Sequence, residues 1–193
     1  MEYILIIIFT VFVNNIVLSQ FLGICPFLGV SKKISTAAGM SGAVIFVVVL
    51  ATMATWLVQR FVLDPLHIRF LQTIAFILII AFLVQIVEII LKKVSPALFQ
   101  ALGIYLPLIT TNCIVLGVAI QTIVKNYNLM EAVVFAISNS VGFSLALILM
   151  AGIREHLDMV DIPKGMRGVP IALVLAGLLS LAFMGFANLV SIK

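Results

Sequence analysis

Charge is what this chain has least of. Only 9% of its 193 residues are Asp, Glu, Lys or Arg, against roughly 25% in an ordinary soluble domain. Hydrophobic residues make up 64%, and no water-solvated fold of this length covers so much apolar surface. Histidine is nearly absent. His67 and His156 lie at the ends of apolar segments, so a haem within the membrane has no axial ligand there, and zinc is a weaker candidate than iron. No long run of Lys or Arg exists, and the net charge of +4 gives no footing for nucleic acid. Carboxylates are also missing from the apolar interior. Glu2, Asp64, Glu131, Glu155, Asp158 and Asp161 sit near segment ends or in loops. Glu88 is the deepest, and Lys92 one turn away offers it an i, i+4 ion pair. Transporters usually keep an ionisable group within the bilayer for coupling, so this chain alone is poorly equipped as a carboxylate-coupled carrier. Cysteine is reduced to two residues, Cys25 and Cys113.

What remains is long apolar runs. A hydrocarbon core of ~30 Å takes about 20 apolar residues per helix. Six spans are expected, at Ile4–Phe21, Ala37–Val58, Phe70–Leu91, Leu98–Val124, Ala132–Ile153 and Gly168–Val190. The first starts with Glu2 instead of a basic region and has no small-residue cleavage pattern, so it reads as a span and not a leader. The expected fold is an all-α integral membrane protein, a single membrane domain over residues 1–193. Lys32, Lys33, Lys92, Lys93, Arg154, Lys164 and Arg167 follow spans one, three and five. Arg60, Arg69, Lys125 and Lys193 fall on the other side, seven basic residues against four. The positive-inside rule then places the odd-numbered loops in the cytoplasm of a prokaryotic cell, with both termini outside the inner membrane.

The chain reads as two halves, about 1–95 and 96–193. Leu22-Gly23-Ile24 recurs as Leu102-Gly103-Ile104, and Asn14-Asn15-Ile16-Val17-Leu18 as Asn112-Cys113-Ile114-Val115-Leu116, in opposite order. Three spans per half is an odd number, so the halves must be inverted, an arrangement that sets functional sites near the midplane on discontinuous helices. Spans one and four fit. Gly23, Pro26 and Gly29 break the first; Gly103, Pro107 and Thr110-Thr111-Asn112 break the fourth. Pro and Gly also kink packed membrane helices without functional meaning, but two breaks at matching positions weigh against that.

Each cysteine lies at one of these breaks. A free Cys is most often a small buried apolar side chain, and a Cys25–Cys113 disulfide is a further option. Thiolates are also soft ligands for iron and copper. Two of them supply half of the ligands of an iron–sulfur cluster, so a redox site built on this pair needs a partner for the rest. Asn14, Asn15, Thr110, Thr111 and Asn112 are the other polar groups within the spans. Such residues more often hydrogen-bond helix to helix than bind an ion.

Three stretches resemble the A subunits of the Rnf electron-transport complexes: Gly23-Ile24-Cys25-Pro26-Phe27-Leu28-Gly29-Val30-Ser31-Lys32-Lys33, Leu106-Pro107-Leu108-Ile109-Thr110-Thr111-Asn112-Cys113, and Asp161-Ile162-Pro163 through Arg167-Gly168. The resemblance covers essentially the whole chain. The E subunit of the sodium-pumping NADH–quinone reductase is homologous and is the alternative. Val13-Asn14-Asn15, Cys25-Pro26-Phe27, Thr111-Asn112 and Gly142-Phe143-Ser144 look more like the Rnf member. The resemblance implies a component of a translocase that couples electron transfer between ferredoxin and NAD to sodium or proton movement. It implies that Cys25 and Cys113 join two cysteines of a homologous sister subunit, of the Rnf E type and of opposite orientation, around one [2Fe-2S] cluster. Gly23 and Gly29 would admit backbone close to it, Pro26 would fix the turn after Cys25, and Asn112 would support Cys113. Flavins of such complexes belong to other subunits; Ser41-Gly42-Ala43-Val44 approaches a flavin-attachment pattern but lacks its threonine. A cluster halfway across the core would divide one slow electron hop into two of about 15 Å. A small inverted-repeat transporter whose cysteines only pack is the reading from another class.

Overall fold

The structure, a computed structural model, describes residues 2–66, 69–94, 108–109, 111–160, 163 and 165–185. Within them the regular structure is entirely helical. In chain order the α-helices are α1 (Glu2–Ile8), α2 (Ile24–Gly29), α3 (Ile34–Val58), α4 (Asp64–Leu66), α5 (Gln72–Val94), α6 (Cys113–Val124), α7 (Leu129–Leu157) and α8 (Val169–Met184). A wide π-turn at Phe9–Val13 extends α1, and another at Gln59–Leu63 extends α3. Helix is the natural answer for these runs, because lipid offers no partner for a free N–H or C=O and a helix satisfies its backbone internally.

Three helical stretches are long and apolar enough to cross a membrane: Ile34–Leu63, Gln72–Ile90 and Leu129–Leu157. They correspond to expected spans two, three and five. Helices α6 and α8 are apolar but shorter. Span one is not a continuous helix. After Val13 the chain leaves the helix and runs through turns from Asn14 to Gly23 before α2 begins. The break therefore starts upstream of the expected Gly23, and Pro26 and Gly29 lie inside α2. The break residues Gly103, Pro107 and Thr110 of span four, the end of span six beyond Gly185, and Lys164 lie outside the described residues.

Burial follows helical period. On α3 the buried residues Ala37, Met40, Val44, Val48, Ala51 and Thr55 recur three or four residues apart. Among the described side chains of α5 only Phe76, Ile80 and Val84 are buried, whereas Leu78 is 66% and Phe82 68% exposed. Large apolar side chains turned outward over most of a helix require lipid or another subunit as their solvent. Two compact units make up the chain: Met1–Gly42 with Ser138–Lys193, and Ala43–Ile137, their boundaries falling inside α3 and α7. In the first unit, Ser180 on α8 donates to the Leu18 carbonyl at 2.6 Å. In the second, the Trp56 indole donates to the Tyr127 carbonyl at 3.0 Å.

Candidate functional site

Backbone freed at a helix break needs partners, and at the first break Asn15 supplies them. Its Oδ1 accepts from Val17 N–H at 3.1 Å and Leu18 N–H at 3.4 Å. Its Nδ2 donates to the carbonyls of Gly142 at 2.8 Å and Val11 at 3.1 Å. Gly142 stands near the middle of the 29-residue α7. A Cβ there would come within 3.3 Å of Asn15 Nδ2 and 3.4 Å of the Thr10 carbonyl, so a side chain would have to push these neighbours back by a few tenths of an ångström. The chain then reverses through Phe21 and Gly23, with φ of 56° and 80°. Gly23 takes that left-handed backbone without penalty, and it is the N-cap from which α2 starts.

Cys25 is the second residue of α2 and Pro26 the third. That is the first turn, where proline's missing N–H costs nothing. Pro26 and Phe27 are buried, while Cys25 and Gly29, one turn apart, face outward. At the other end of α2 the Arg154 guanidinium of α7 donates to the Leu28 carbonyl at 2.8 Å and to Ser31 Oγ at 2.9 Å. A helix of six residues cannot hold itself; the Asn15 turn and the Arg154 clamp fix it at both ends.

Cys113 lies in the second unit as the first residue of α6. Asn112 is the N-cap, its Oδ1 accepting from Ile114 N–H at 3.2 Å. The buried face of α6 carries Ile114, Val115, Val118, Ala119 and Thr122, and Cys113 lies outside it, exposed. Helix α6 is 12 residues long, so Cys113 lies about 18 Å along the axis from the Lys125 loop, more than half of a ~30 Å core. Gly117 follows Cys113 by one turn, as Gly29 follows Cys25. Each thiol thus has a residue without a side chain four positions on, beside which a second chain can approach closely.

The structure brings Gly23, Pro26 and Gly29 together with Cys25, and Asn112 together with Cys113. Arg154, Asn15, Gly142 and Gly117 belong to the same settings, and of these only Gly117 had no place in the sequence pattern. Both cysteines are free thiols and both are exposed, so neither is an apolar filler of its own unit and both are open to a second chain. Among the described residues no group of three or more His, Cys, Asp or Glu could hold a metal ion. Each unit thus presents one free, exposed thiol in the first turn of a helix.

Elsewhere in the second unit, Trp56, Gln59, Arg60, Asp64, Thr122 and Tyr127 line a polar cavity of about 220 Å³. Gln59 Nε2 donates to Asp64 at 3.0 Å. Beside it the Lys125 ammonium lies 4.6 Å from the centre of the Phe135 ring. Burial holds that ammonium below its usual range, and burial together with Glu131 pushes the Tyr127 phenol up.

Residues 3–190 match the family described as Rnf-Nqr subunit, membrane protein. The chain is 59% identical over 186 residues, 96% of each chain, to the A subunit of the ion-translocating oxidoreductase complex of Syntrophotalea carbinolica. It is 58% identical over 189 residues, 98% of each, to the A subunit of the Na(+)-translocating ferredoxin:NAD(+) oxidoreductase complex of Acetobacterium woodii. To the A subunit of the ion-translocating oxidoreductase complex of Histophilus somni it is 54% identical over 191 residues, 99% of each.

Proposed function

Because the chain belongs to the Rnf-Nqr family of membrane subunits, we propose that it is a membrane component of an ion-translocating ferredoxin:NAD+ oxidoreductase. In this reading it is a translocase subunit without catalytic power of its own. It works in the prokaryotic inner membrane, in a complex that moves sodium ions or protons. The relatives, each named as the A subunit of its complex, favour this over the quinone reductase.

Cys25 and Cys113 hold one half of a [2Fe-2S] cluster, and a homologous sister subunit supplies the other two thiolates. The observation that carries this is the pair of free, exposed thiols, each in the first turn of a helix that begins at a break. Such a cluster accepts and passes on single electrons. The chain's part is to position and insulate. Asn15 and Arg154 fix the short helix under Cys25, Asn112 starts the helix under Cys113, and Gly29 and Gly117 leave room for the sister chain. Apolar side chains around both keep water away, which with hydrogen bonds to sulfur sets a cluster's potential. The six spans form two inverted repeats, with the odd loops in the cytoplasm and both termini outside.

The test is electron paramagnetic resonance of the whole complex. Cys25→Ser and Cys113→Ser should each remove one [2Fe-2S] signal and stop electron flow, because a hydroxyl is a poor iron ligand. Unchanged iron content and activity in the double variant rejects the reading. Reporter fusions at Lys33, Lys93 and Lys193 check the orientation, the first two reading cytoplasmic and the last external.

A further inference from the structure

Asn112 is 3% exposed, and only one end of its side chain is used. Oδ1 accepts from Ile114 N–H. That bond fixes the orientation of the amide, since turning it over would set N–H against N–H. Nδ2 is therefore the free end, enclosed and without an acceptor among the described residues. An unpaired buried amide costs roughly 1–3 kcal/mol, and native proteins keep few of them without a reason. Asn15 provides the comparison inside the same chain. It caps the turn at the first break with its oxygen, and its Nδ2 finds two carbonyls. At the second break the same residue type does the same work with its oxygen, yet its Nδ2 is left bare. The residue that follows is Cys113, an exposed thiol.

We propose that Asn112 Nδ2 donates a hydrogen bond to a sulfur of the iron–sulfur group held by Cys113 and thereby raises its reduction potential. The missing acceptor arrives with the group that Cys113 binds. A hydrogen bond to sulfur favours the reduced form, which carries the extra negative charge. Asn112 is then a positioning and tuning residue: Oδ1 starts the helix that presents Cys113, and Nδ2 adjusts the energy of the electron. The inference rests on Cys113 being an iron ligand, and the experiment separates the two.

The whole complex is titrated by electron paramagnetic resonance at controlled potentials, as wild type, Asn112→Asp, Asn112→Ser and Cys113→Ser. The signal lost in Cys113→Ser identifies the cluster. Asp and Ser both keep a capping oxygen for α6. Asp replaces the donor with an acceptor, and Ser withdraws the amide. Both variants should keep the signal and show a lower midpoint potential. A tenfold change in the one-electron equilibrium is about 59 mV, well within what such a titration reads. A wild-type potential in both variants, with the signal intact, overturns the inference and leaves the ligand assignment standing. If the Asp variant assembles no cluster, the Ser variant alone decides. A signal that survives in Cys113→Ser overturns the ligand assignment itself. A role confined to helix capping would leave the potential unmoved in both.

Discussion

Asn15 joins four backbone groups that would otherwise face apolar surroundings. It pairs two N–H groups of the turn after it, and it ties that turn to a carbonyl on α7. Asn15→Ala leaves the Val17 and Leu18 N–H groups and the Gly142 carbonyl without these partners. Each such loss costs roughly 1–3 kcal/mol, so the variant should lose about 2–4 kcal/mol after partial relaxation. The measurement is the temperature at which the detergent-solubilised complex dissociates. A wild-type temperature for Asn15→Ala shows that the break is held by something else. The cysteines were legible in the sequence because they were scarce and stood at breaks, and Asn112 because it stood beside one. Gly117 was not legible. A lone glycine in an apolar run carries no signal until the helix sets it one turn from Cys113. Arg154 entered the sequence reading only as a loop charge that set orientation. Its partners at Leu28 and Ser31 are more than a hundred residues away, and no local pattern announces such a bond.

At the scale of elements, the long helices and the broken ones obey different rules. Spans two, three and five were legible because an unbroken apolar run leaves helix as the only way to satisfy the backbone in lipid. Their ends were less so. Helix α7 extends beyond the expected Ala132–Ile153 at both ends, to Leu129–Leu157, since hydropathy marks where lipid starts and not where helical hydrogen bonding stops. The break in span one was expected at Gly23, Pro26 and Gly29; it starts earlier, at Asn14, and ends at Gly23. Helix propensity fails at Asn14 and Asn15 because the side chain competes for the backbone. Helix α2 depends on its neighbours in the same way. Arg154→Ala removes the donors at its C-terminal end and should loosen the helix that presents Cys25. In membranes holding this chain with Cys113→Ser and no sister subunit, a permeable maleimide should label Cys25 several-fold faster in Arg154→Ala than in the parent. Arg154→Lys retains a donor but not the planar fork, and should fall between the two. Equal labelling in all three chains would falsify the clamp.

For the whole molecule the decisive quantity is the number of cysteines. Two are present, both exposed, and an iron–sulfur cluster of this type takes four protein ligands. The described residues offer no third ligand grouped with either cysteine. Much apolar surface also faces outward, from Phe82 on α5 to Leu178 and Leu181 on α8, and lipid or a second membrane protein must cover it. The chain expressed alone should therefore fold and hold no stable cluster, and should gain one only beside a membrane partner that offers two more cysteines. Two copies of this chain would also bring four thiolates, so the experiment has to separate a homodimer from a heteromer. The purified chain is reconstituted anaerobically with iron and sulfide, and cluster per chain is measured together with oligomeric mass. One stable cluster per two identical chains would sink the heteromeric model. No cluster from the folded chain alone, and one cluster per pair when the sister subunit is present, is the expected result. The heteromer is favoured because an inverted pair of homologues, alike in fold and opposite in orientation, can turn four broken segments towards one axis.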